Sequence, residues 1–376
     1  MKTAHPSPSL TARALLGAIA LLGLATTAAA ADCPKLLMFD GTNFRTQATA
    51  EQAHYWGDTV GVQGFFVNHV MASWQDDVGT RPDSKLWRQL DRFQSVYASH
   101  GVTDNFIKVA LYKPVDWGDA GEREQIVRNF SHAAALARHA GLKGVAIDLE
   151  PYKPTWVDSG DLSATVQAQG SAIAKAMLAA YPEMTLVVIK DALHQNYPHT
   201  PLDQLVSRFG TDPGPSRHFW HGGYALAIPF LHGLLSVDWA HLVMATEVTY
   251  EGSDMASPVH QTRDNYAVFM GAHHASRSDL SVAPGLWPLG HSYADKSARD
   301  TPAEFAWHLQ SAFGAAKSYV WIYGYGSAWQ TAGPYGAAPV TTGFSKYTAA
   351  IHAMRASCAG AAAQSAAPGE EDRQLP

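Results

Sequence analysis

Cysteine is almost absent from this chain: among 376 residues only Cys33 and Cys358 occur. They stand near the two ends of the central sequence, and in an oxidising compartment they would form a single disulfide bond. Such a bond needs Cα atoms within about 7 Å of each other. A closed barrel brings its last helix back beside its first strand, so we predict a Cys33–Cys358 disulfide. Two unrelated thiols are the alternative.

Charge is also sparse, since charged residues make up 16% of the chain and the net charge is −6. No basic cluster or charge run indicates nucleic acid or an anionic membrane surface as a partner. Hydrophobic residues account for 47%, which is typical of a globular protein.

Several catalytic motifs are missing. No glycine-rich phosphate fingerprint follows the first predicted strand, which argues against a dinucleotide-binding fold. No Gly-x-Ser-x-Gly supports a serine hydrolase. The chain has 18 histidines, but neither His-x-His after the first strand nor His-Glu-x-x-His on a helix. We therefore predict no cofactor and no catalytic metal, and keep a metal-dependent hydrolase as a third alternative.

The two ends of the chain differ from its centre. Residues 1–31 have basic residues, then the apolar run Ala14–Ala25, then small residues up to Ala31, which is the layout of a secretory signal peptide. Residues 359–376 lack apolar periodicity and are predicted to be disordered. We expect a protein that is secreted or periplasmic, without membrane insertion, whose folded domain is 32–358.

The centre alternates between strands and helices. Helical spacing of apolar residues predicts helices between short apolar runs, and runs that are apolar at nearly every position indicate strands buried on both faces. Eight such strands in a chain of this length predict an α/β fold, a single-domain (β/α)8 TIM barrel. Residues Gly210–Asp238 form an oversized insertion between strands 5 and 6, and their loop and helix could form one wall of a cleft. The predicted strands are Leu36–Phe39, Gly64–Val67, Ile107–Leu111, Gly144–Ile147, Thr185–Ile189, Leu242–Ala245, Leu280–Pro284 and Tyr319–Tyr323.

Strand 4 carries the clearest catalytic pattern. The apolar run Gly144–Ile147 leads directly into Asp148 and Glu150. In a strand this spacing puts both side chains on one face, and two close carboxylates raise the pKa of one of them. A carboxylic acid that stays protonated near neutral pH is what the cleavage of a glycosidic bond requires.

Further polar residues end the other strands, where the active site of this fold lies. Glu247 ends strand 6 and could act opposite Glu150, although Glu251 is an alternative second carboxylate. Asp40, Asn68, Lys190 and Asp191 follow strands 1, 2 and 5, and each of the two aspartates could instead cap a helix or organise a loop.

Aromatic side chains supply platforms on which the apolar faces of sugars stack. The chain has 11 tryptophans and 15 tyrosines, and many follow the predicted strands, where ligand-binding loops converge. Trp117, Trp156, Tyr325 and Trp329 follow strands too, and we expect about half of such loop aromatics to line a cleft. The candidates for substrate binding are Trp74, Tyr112, Tyr152, Tyr250, Trp287, Trp321 and Tyr323.

Residues 144–150 resemble the strand-4 signature of family 18 chitinase-like glycoside hydrolases, whose last two acidic positions match Asp148 and Glu150. Lys143 and Ala146 replace that signature's two earlier aspartates. The same segment is similar to the strand-4 Asp-x-Glu of family 25 lysozyme-like enzymes, which also use an aspartate in the place of Asp40.

In the family 18 pattern strand 6 carries Met-x-Tyr-Asp, of which Met244 is present, while Thr246 and Glu247 replace the other two residues. Trp321 resembles the tryptophan that forms the floor of the sugar site in that family. The resemblance implies a barrel glycoside hydrolase and leaves its family open.

These observations predict a secreted enzyme that hydrolyses or transglycosylates an oligo- or polysaccharide. Glu150 would be the general acid, Asp148 its orienting neighbour and Glu247 the opposite carboxylate. A non-catalytic glycan-binding protein on a degenerate barrel is the alternative from another class.

Overall fold

The computed structural model describes residues 33–39, 44–46, 48–71, 73–76, 84–151, 155–156, 162–190, 226–250, 254–271, 280–289, 299–324 and 344–366. Some sequence-based predictions fall on residues outside these ranges. They are the signal peptide, residues 210–225 of the predicted insertion, residues 367–376 of the predicted disordered tail, and Asp40, Tyr152, Asp191, Glu251, Tyr325 and Trp329.

Eight parallel strands close into a barrel in sequence order, because β1 pairs with both β2 and β8. With the helices that alternate with them, they form a (β/α)8 TIM barrel, and this confirms the predicted fold class. The strands are Lys35–Phe39 (β1), Gly64–Met71 (β2), Phe106–Leu111 (β3), Gly144–Pro151 (β4), Thr185–Ile189 (β5), His241–Thr246 (β6), Leu280–Leu286 (β7) and Tyr319–Tyr323 (β8).

In the described part of the chain, a helix follows each strand and covers the outside of the barrel. The first is short and continues into a π-helical turn, Tyr55–Val60. This helix has no counterpart among the predicted elements, because five residues are too few to show helical periodicity. The helices are Ala50–His54 (α1), Lys85–Ala98 (α2), Ala120–His139 (α3), Ser163–Ala180 (α4), Ala227–Leu234 (α5), Ala256–Gly271 (α6), Pro302–Ala315 (α7) and Phe344–Ala366 (α8).

The strands have apolar residues on both faces because they separate two cores. One set of side chains, including Ala146 of β4, packs inside the barrel. The alternate residues Val145 and Ile147 pack outward against the helices. Alternation then directs Asp148 and Glu150 to the same side as Ala146, toward the barrel axis where the strand ends.

The two ends of the domain are joined as predicted. Cys33 and Cys358 form a disulfide bond with Cα atoms 5.8 Å apart. Helix α8 continues past Cys358 to Ala366, so the first part of the predicted disordered tail is helical instead. None of the helices in the described part of the chain is long and apolar enough to cross a membrane.

The described part of the predicted insertion contains helix α5, which is buried along its whole length. Glycines let α5 lie very close to α4: a Cβ atom on Gly170 would stand 2.2 Å from the carbonyl oxygen of Phe230, and one on Gly233 would stand 1.8 Å from that of Gln167. Helix α5 is therefore part of the packed helical layer.

Candidate active site

The carboxyl ends of the strands bring an ionic cluster together at one mouth of the barrel. β3 supplies Lys108, β4 supplies Asp148 and Glu150, the end of β5 supplies Lys190, and the end of β6 supplies Glu247. Four of these five residues are sequence-predicted candidates, and the structure places all four within one connected set of ion pairs and backbone contacts.

Asp148 is buried at the bottom of the cluster. Its Oδ2 lies 3.2 Å from Lys108 Nζ, and each side chain is only 1% exposed. Its Oδ1 accepts a hydrogen bond from the backbone N–H of Glu150 at 3.0 Å. Burial favours the neutral amine of Lys108, but Asp148 and Tyr112 together outweigh it and raise the pKa of Lys108. Asp148 therefore fixes the backbone that carries Glu150.

Lys190 joins the other two carboxylates. Its Nζ donates to Glu247 Oε2 at 2.5 Å and lies 3.9 Å from Glu150 Oε1. The Glu150 side chain is 32% exposed, whereas that of Glu247 is 14% exposed. Burial opposes a charged amine, yet Glu247 and Glu150 together raise the pKa of Lys190. The ammonium group thus stands between two carboxylates that would otherwise repel each other.

Backbone conformation brings Lys190 into the mouth. Ile189 points into the barrel and Val188 points outward, so strict alternation would direct Lys190 outward. Instead Lys190 has a φ of 76°, a left-handed conformation that costs roughly 1–2 kcal/mol for a residue with a side chain. Such strain is concentrated at functional sites, where the surrounding structure holds it in place.

The pKa of Glu247 lies well above that of an ordinary glutamate. Burial raises the pKa of its carboxyl group to about 7, helped by the charges of Glu150 and Asp148 and opposed by Lys190. A carboxyl group with a pKa close to the working pH can change its charge during catalysis.

Three aromatic side chains lie beside the carboxylates. The Tyr250 ring centroid is 5.7 Å from that of Trp287 and 6.0 Å from that of Tyr323. Burial, with the charge of Glu247, raises the pKa of Tyr250 well above its usual value, and burial with the charge of Glu150 raises that of Tyr323. Within the described part of the chain, the buried hydroxyl of Tyr250 has no hydrogen-bond partner.

The loop that carries Tyr250 is tied to β7. Thr249 Oγ1 donates to the carbonyl oxygen of Gly285 at 2.7 Å and accepts from its N–H at 2.9 Å. A Cβ atom at Gly285 would stand 2.7 Å from Tyr250 and 2.8 Å from Trp321, so only glycine lets these two rings meet there.

Two predicted sugar platforms are corrected by the structure. Trp74 and Trp321 are completely buried, so neither ring offers a face to a ligand. Trp321 packs inside the barrel against Phe39, Phe66 and Tyr250. Of the other predicted binding residues, Asn68 is buried in β2, Tyr112 is 42% exposed, and Tyr250, Trp287 and Tyr323 are partly exposed.

Trp74 belongs to a buried aromatic group with Trp117 and Trp156, two further tryptophans expected after strands. Phe230 from α5 covers all three. Trp156 Nε1 donates to the carbonyl oxygen of Leu149 at 2.9 Å. This group, which we call the tryptophan cluster, therefore braces the end of β4 between the two acidic residues.

Sequence reasoning missed two residues. Lys108 is the single charged residue in an otherwise apolar strand, and that interruption was the available signal. Its Nζ also lies 3.4 Å from Tyr112 Oη. His69 is exposed on β2 with a φ of 65°. Partial burial lowers the pKa of His69, and the positive charges of Lys108 and Arg45 lower it further. No sequence pattern marked His69.

The fold and the site together define a (β/α)8-barrel protein with paired carboxylates and two lysines at the mouth of the barrel. No family model matches the sequence, and no curated protein matches it, so the resemblance to families 18 and 25 stays a prediction.

Solved structures with a similar fold include sugar-acting enzymes and an old yellow enzyme homologue of Zymomonas mobilis. An O-GlcNAc hydrolase of Thermobaculum terrenum is 9% identical with a TM-score of 0.46, covering 89% of this chain and 63% of its own. A 3-keto-D-glucoside 4-epimerase of E. coli is 11% identical with a TM-score of 0.41, covering 86% and 99%. A sugar phosphate isomerase/epimerase of Parabacteroides distasonis is 11% identical with a TM-score of 0.43, covering 85% and 98%. At these identities the similarity reflects the barrel alone.

Proposed function

We propose that this protein is a secreted glycoside hydrolase that cleaves an oligo- or polysaccharide with Glu150 and Glu247. The observation that carries the proposal is the position of Lys190 between these two carboxylates at the barrel mouth. A pair of carboxyl groups that can flank a glycosidic bond, in different environments, is the machinery of its cleavage.

The spacing of the pair supports a retaining mechanism. Glu150 Oε1 and Glu247 Oε2 can be no more than 6.4 Å apart, the sum of their distances of 3.9 and 2.5 Å to Lys190 Nζ. Inverting enzymes keep their carboxyl groups about 6.5–9.5 Å apart to admit a water molecule, whereas retaining enzymes keep them about 5–5.5 Å apart.

In this mechanism Glu150 protonates the leaving-group oxygen and later removes a proton from water. Glu247, in the ionised form that Lys190 favours, attacks the anomeric carbon and forms a glycosyl ester that water then hydrolyses. Asp148 holds the backbone of Glu150 through the hydrogen bond that it accepts from the Glu150 N–H. The partly exposed rings of Trp287 and Tyr323 would border the bound sugar.

The experiment compares product release from a panel of bacterial and plant polysaccharides by the wild type, Glu150→Gln and Glu247→Gln. Glu150→Gln should lower kcat/KM by at least about 100-fold, the usual contribution of a proton-transfer group. Glu247→Gln removes the nucleophile and should cost at least as much. Glu183→Gln is the matched control, because Glu183 is exposed and precedes β5 at the opposite end of the barrel. An effect of Glu183→Gln as large as that of Glu150→Gln contradicts the site. Glycan binding without turnover supports the non-catalytic alternative.

The pH profile assigns the roles. If Glu247 is the nucleophile, only its ionised form works, so activity should rise as the pH passes through about 7, the pKa of this group. Activity that instead falls above about pH 7 would make Glu247 the acid and Glu150 the nucleophile. The leaving group of an activated aryl glycoside needs no proton from the enzyme. With this substrate, the rate of glycosyl ester formation should be little changed by substitution of the acid and should be lost on substitution of the nucleophile.

A further inference from the structure

A second ionic cluster lies at the other end of the barrel. His54 ends α1, Asp58 lies in the π-helical turn before β2, and His100 lies between α2 and β3. These residues lie in the connections that lead into the amino ends of β2 and β3, whereas Glu150 lies at the carboxyl end of β4. The cluster is therefore at the opposite end of the barrel from Glu150. We call these three residues the His–Asp–His cluster, and neither the proposed mechanism nor the disulfide uses them.

Both imidazoles of the His–Asp–His cluster face the same carboxylate oxygen. Asp58 Oδ2 lies 2.7 Å from His54 Nδ1 and 2.6 Å from His100 Nδ1. One ligand atom from each residue lies within 4.8 Å of the other two. Two nitrogens and one oxygen thus converge from two separate elements.

The surrounding backbone fixes this convergence. A Cβ atom at Gly57 would stand 2.1 Å from the carbonyl oxygen of His100, so glycine is what lets the π-helical turn touch the α2–β3 connection. Trp56 and Val60 anchor the turn, because both are completely buried. π-helical turns occur frequently at functional sites. Helix α8 also holds the turn, through His352 Nε2 and the Thr59 carbonyl oxygen at 2.8 Å.

We propose that the His–Asp–His cluster binds a divalent transition-metal ion of the zinc type, through two imidazole nitrogens and one carboxylate oxygen. Ligand atoms about 2.0–2.2 Å from a tetrahedral zinc ion are about 3.4 Å from one another. The present contacts of 2.6 and 2.7 Å therefore need to open by less than about 1 Å. The half-exposed position leaves water as the fourth ligand, and imidazole with carboxylate disfavours magnesium and calcium.

Binding of this ion would cross-link the α2–β3 connection to the turn before β2. Metal binding releases a proton from any imidazole that is protonated, so affinity falls as the pH decreases. The ion is remote from the carboxylates, so its removal changes stability and leaves the chemistry at the barrel mouth in place.

The test is titration of the tag-free protein with zinc chloride, followed by calorimetry and by thermal unfolding. We expect one ion per chain with a rise in unfolding temperature that a chelator reverses. His54→Gln and His100→Gln should each weaken binding by about tenfold or more, since groups that only orient a metal ligand already contribute that much. The His54 side chain is 64% exposed, so His54→Gln should leave the fold intact even if His100→Gln does not.

The chain offers a matched control in His139, which lies 3.1 Å from Asp91 and belongs to no cluster of three ligand residues among those described. His139→Gln should leave zinc affinity unchanged. The proposal is overturned if the wild type binds no zinc, or if His54→Gln binds it as tightly as His139→Gln does.

Discussion

Lys108 and Asp148 form the most deeply buried ion pair in the described site, with each side chain 1% exposed. Removing one partner of such a pair leaves an unpaired charge without water, which costs about 3–5 kcal/mol. We therefore expect Lys108→Met to lower the free energy of unfolding by this amount in chemical denaturation. Activity should fall as well, because Asp148 would no longer be held beneath Glu150.

A double substitution separates charge from packing. In Lys108→Met/Asp148→Leu no charge is left unpaired, so most of the lost stability should return while activity stays low. If the double variant is less stable than Lys108→Met alone, the unpaired charge of Asp148 is not what destabilises Lys108→Met, and the hydrogen bond that Asp148 accepts from the Glu150 N–H matters more.

Glu247 links stability to pH. Its pKa is about 7 in the folded protein against 4.5 for an ordinary glutamate, so between these values the folded state binds more protons than the unfolded state. The free energy of unfolding should then decrease as the pH rises from about 4.5 to 7. The full difference is about 3 kcal/mol, from 1.36 kcal/mol per unit of pKa.

Glu247→Gln is the reference variant for this pH dependence of the free energy of unfolding, because glutamine fills a similar volume and does not titrate. The free energy of unfolding of the wild type, measured relative to the variant in urea denaturation, should fall by about 3 kcal/mol over this pH range. A difference that is constant from pH 4.5 to 7 means that the pKa of Glu247 is not raised by folding.

At the scale of elements, Gly285 in β7 sets how the aromatic rings pack beneath the site. A side chain there would meet Tyr250 and Trp321 at 2.7 and 2.8 Å, and such overpacking costs about 1–3 kcal/mol. We expect Gly285→Ala to destabilise the protein by this amount in thermal unfolding and to raise KM, because Tyr250 must move.

Gly314 provides the comparison, since a Cβ atom there would meet nothing within 4 Å. Gly314→Ala lies near the end of α7 and should stabilise the protein by up to about 1 kcal/mol. Equal effects of the two substitutions would show that the contacts of Gly285 do not matter.

The elements themselves were predictable because each strand is buried on both faces and each long helix has one apolar face. β5 and β8 match the predicted ranges, and the others differ by a few residues at their ends. Strand alternation also predicted that Asp148 and Glu150 share a face. The mouth was less predictable, since Lys190 reaches it only through a positive φ, which no pattern of residue types reveals.

The burial of the loop tryptophans could not be predicted from the sequence either. Trp74 follows a strand, as a ligand platform would, but Phe230 covers it at a centroid distance of 5.1 Å. That contact joins residues far apart in sequence and depends on how closely α5 packs on α4. A propensity or spacing argument has no access to such packing, whereas the exposed Tyr112 and the buried Trp74 look alike in sequence.

At the scale of the whole molecule, the barrel closes where the chain begins and ends. The disulfide joins Cys33 to Cys358 across a separation of 325 residues, and Arg355 donates to the carbonyl oxygen of Gly61 at 2.9 Å. A cross-link over so long a loop mainly restricts the unfolded chain, and its loss typically costs about 2–5 kcal/mol. We expect Cys33→Ser/Cys358→Ser to lose this much stability in guanidinium denaturation, with the native activity unchanged. Because the carboxylates lie at the opposite end from the bond, a loss of activity under folding conditions would mean that closure of the barrel also shapes its mouth.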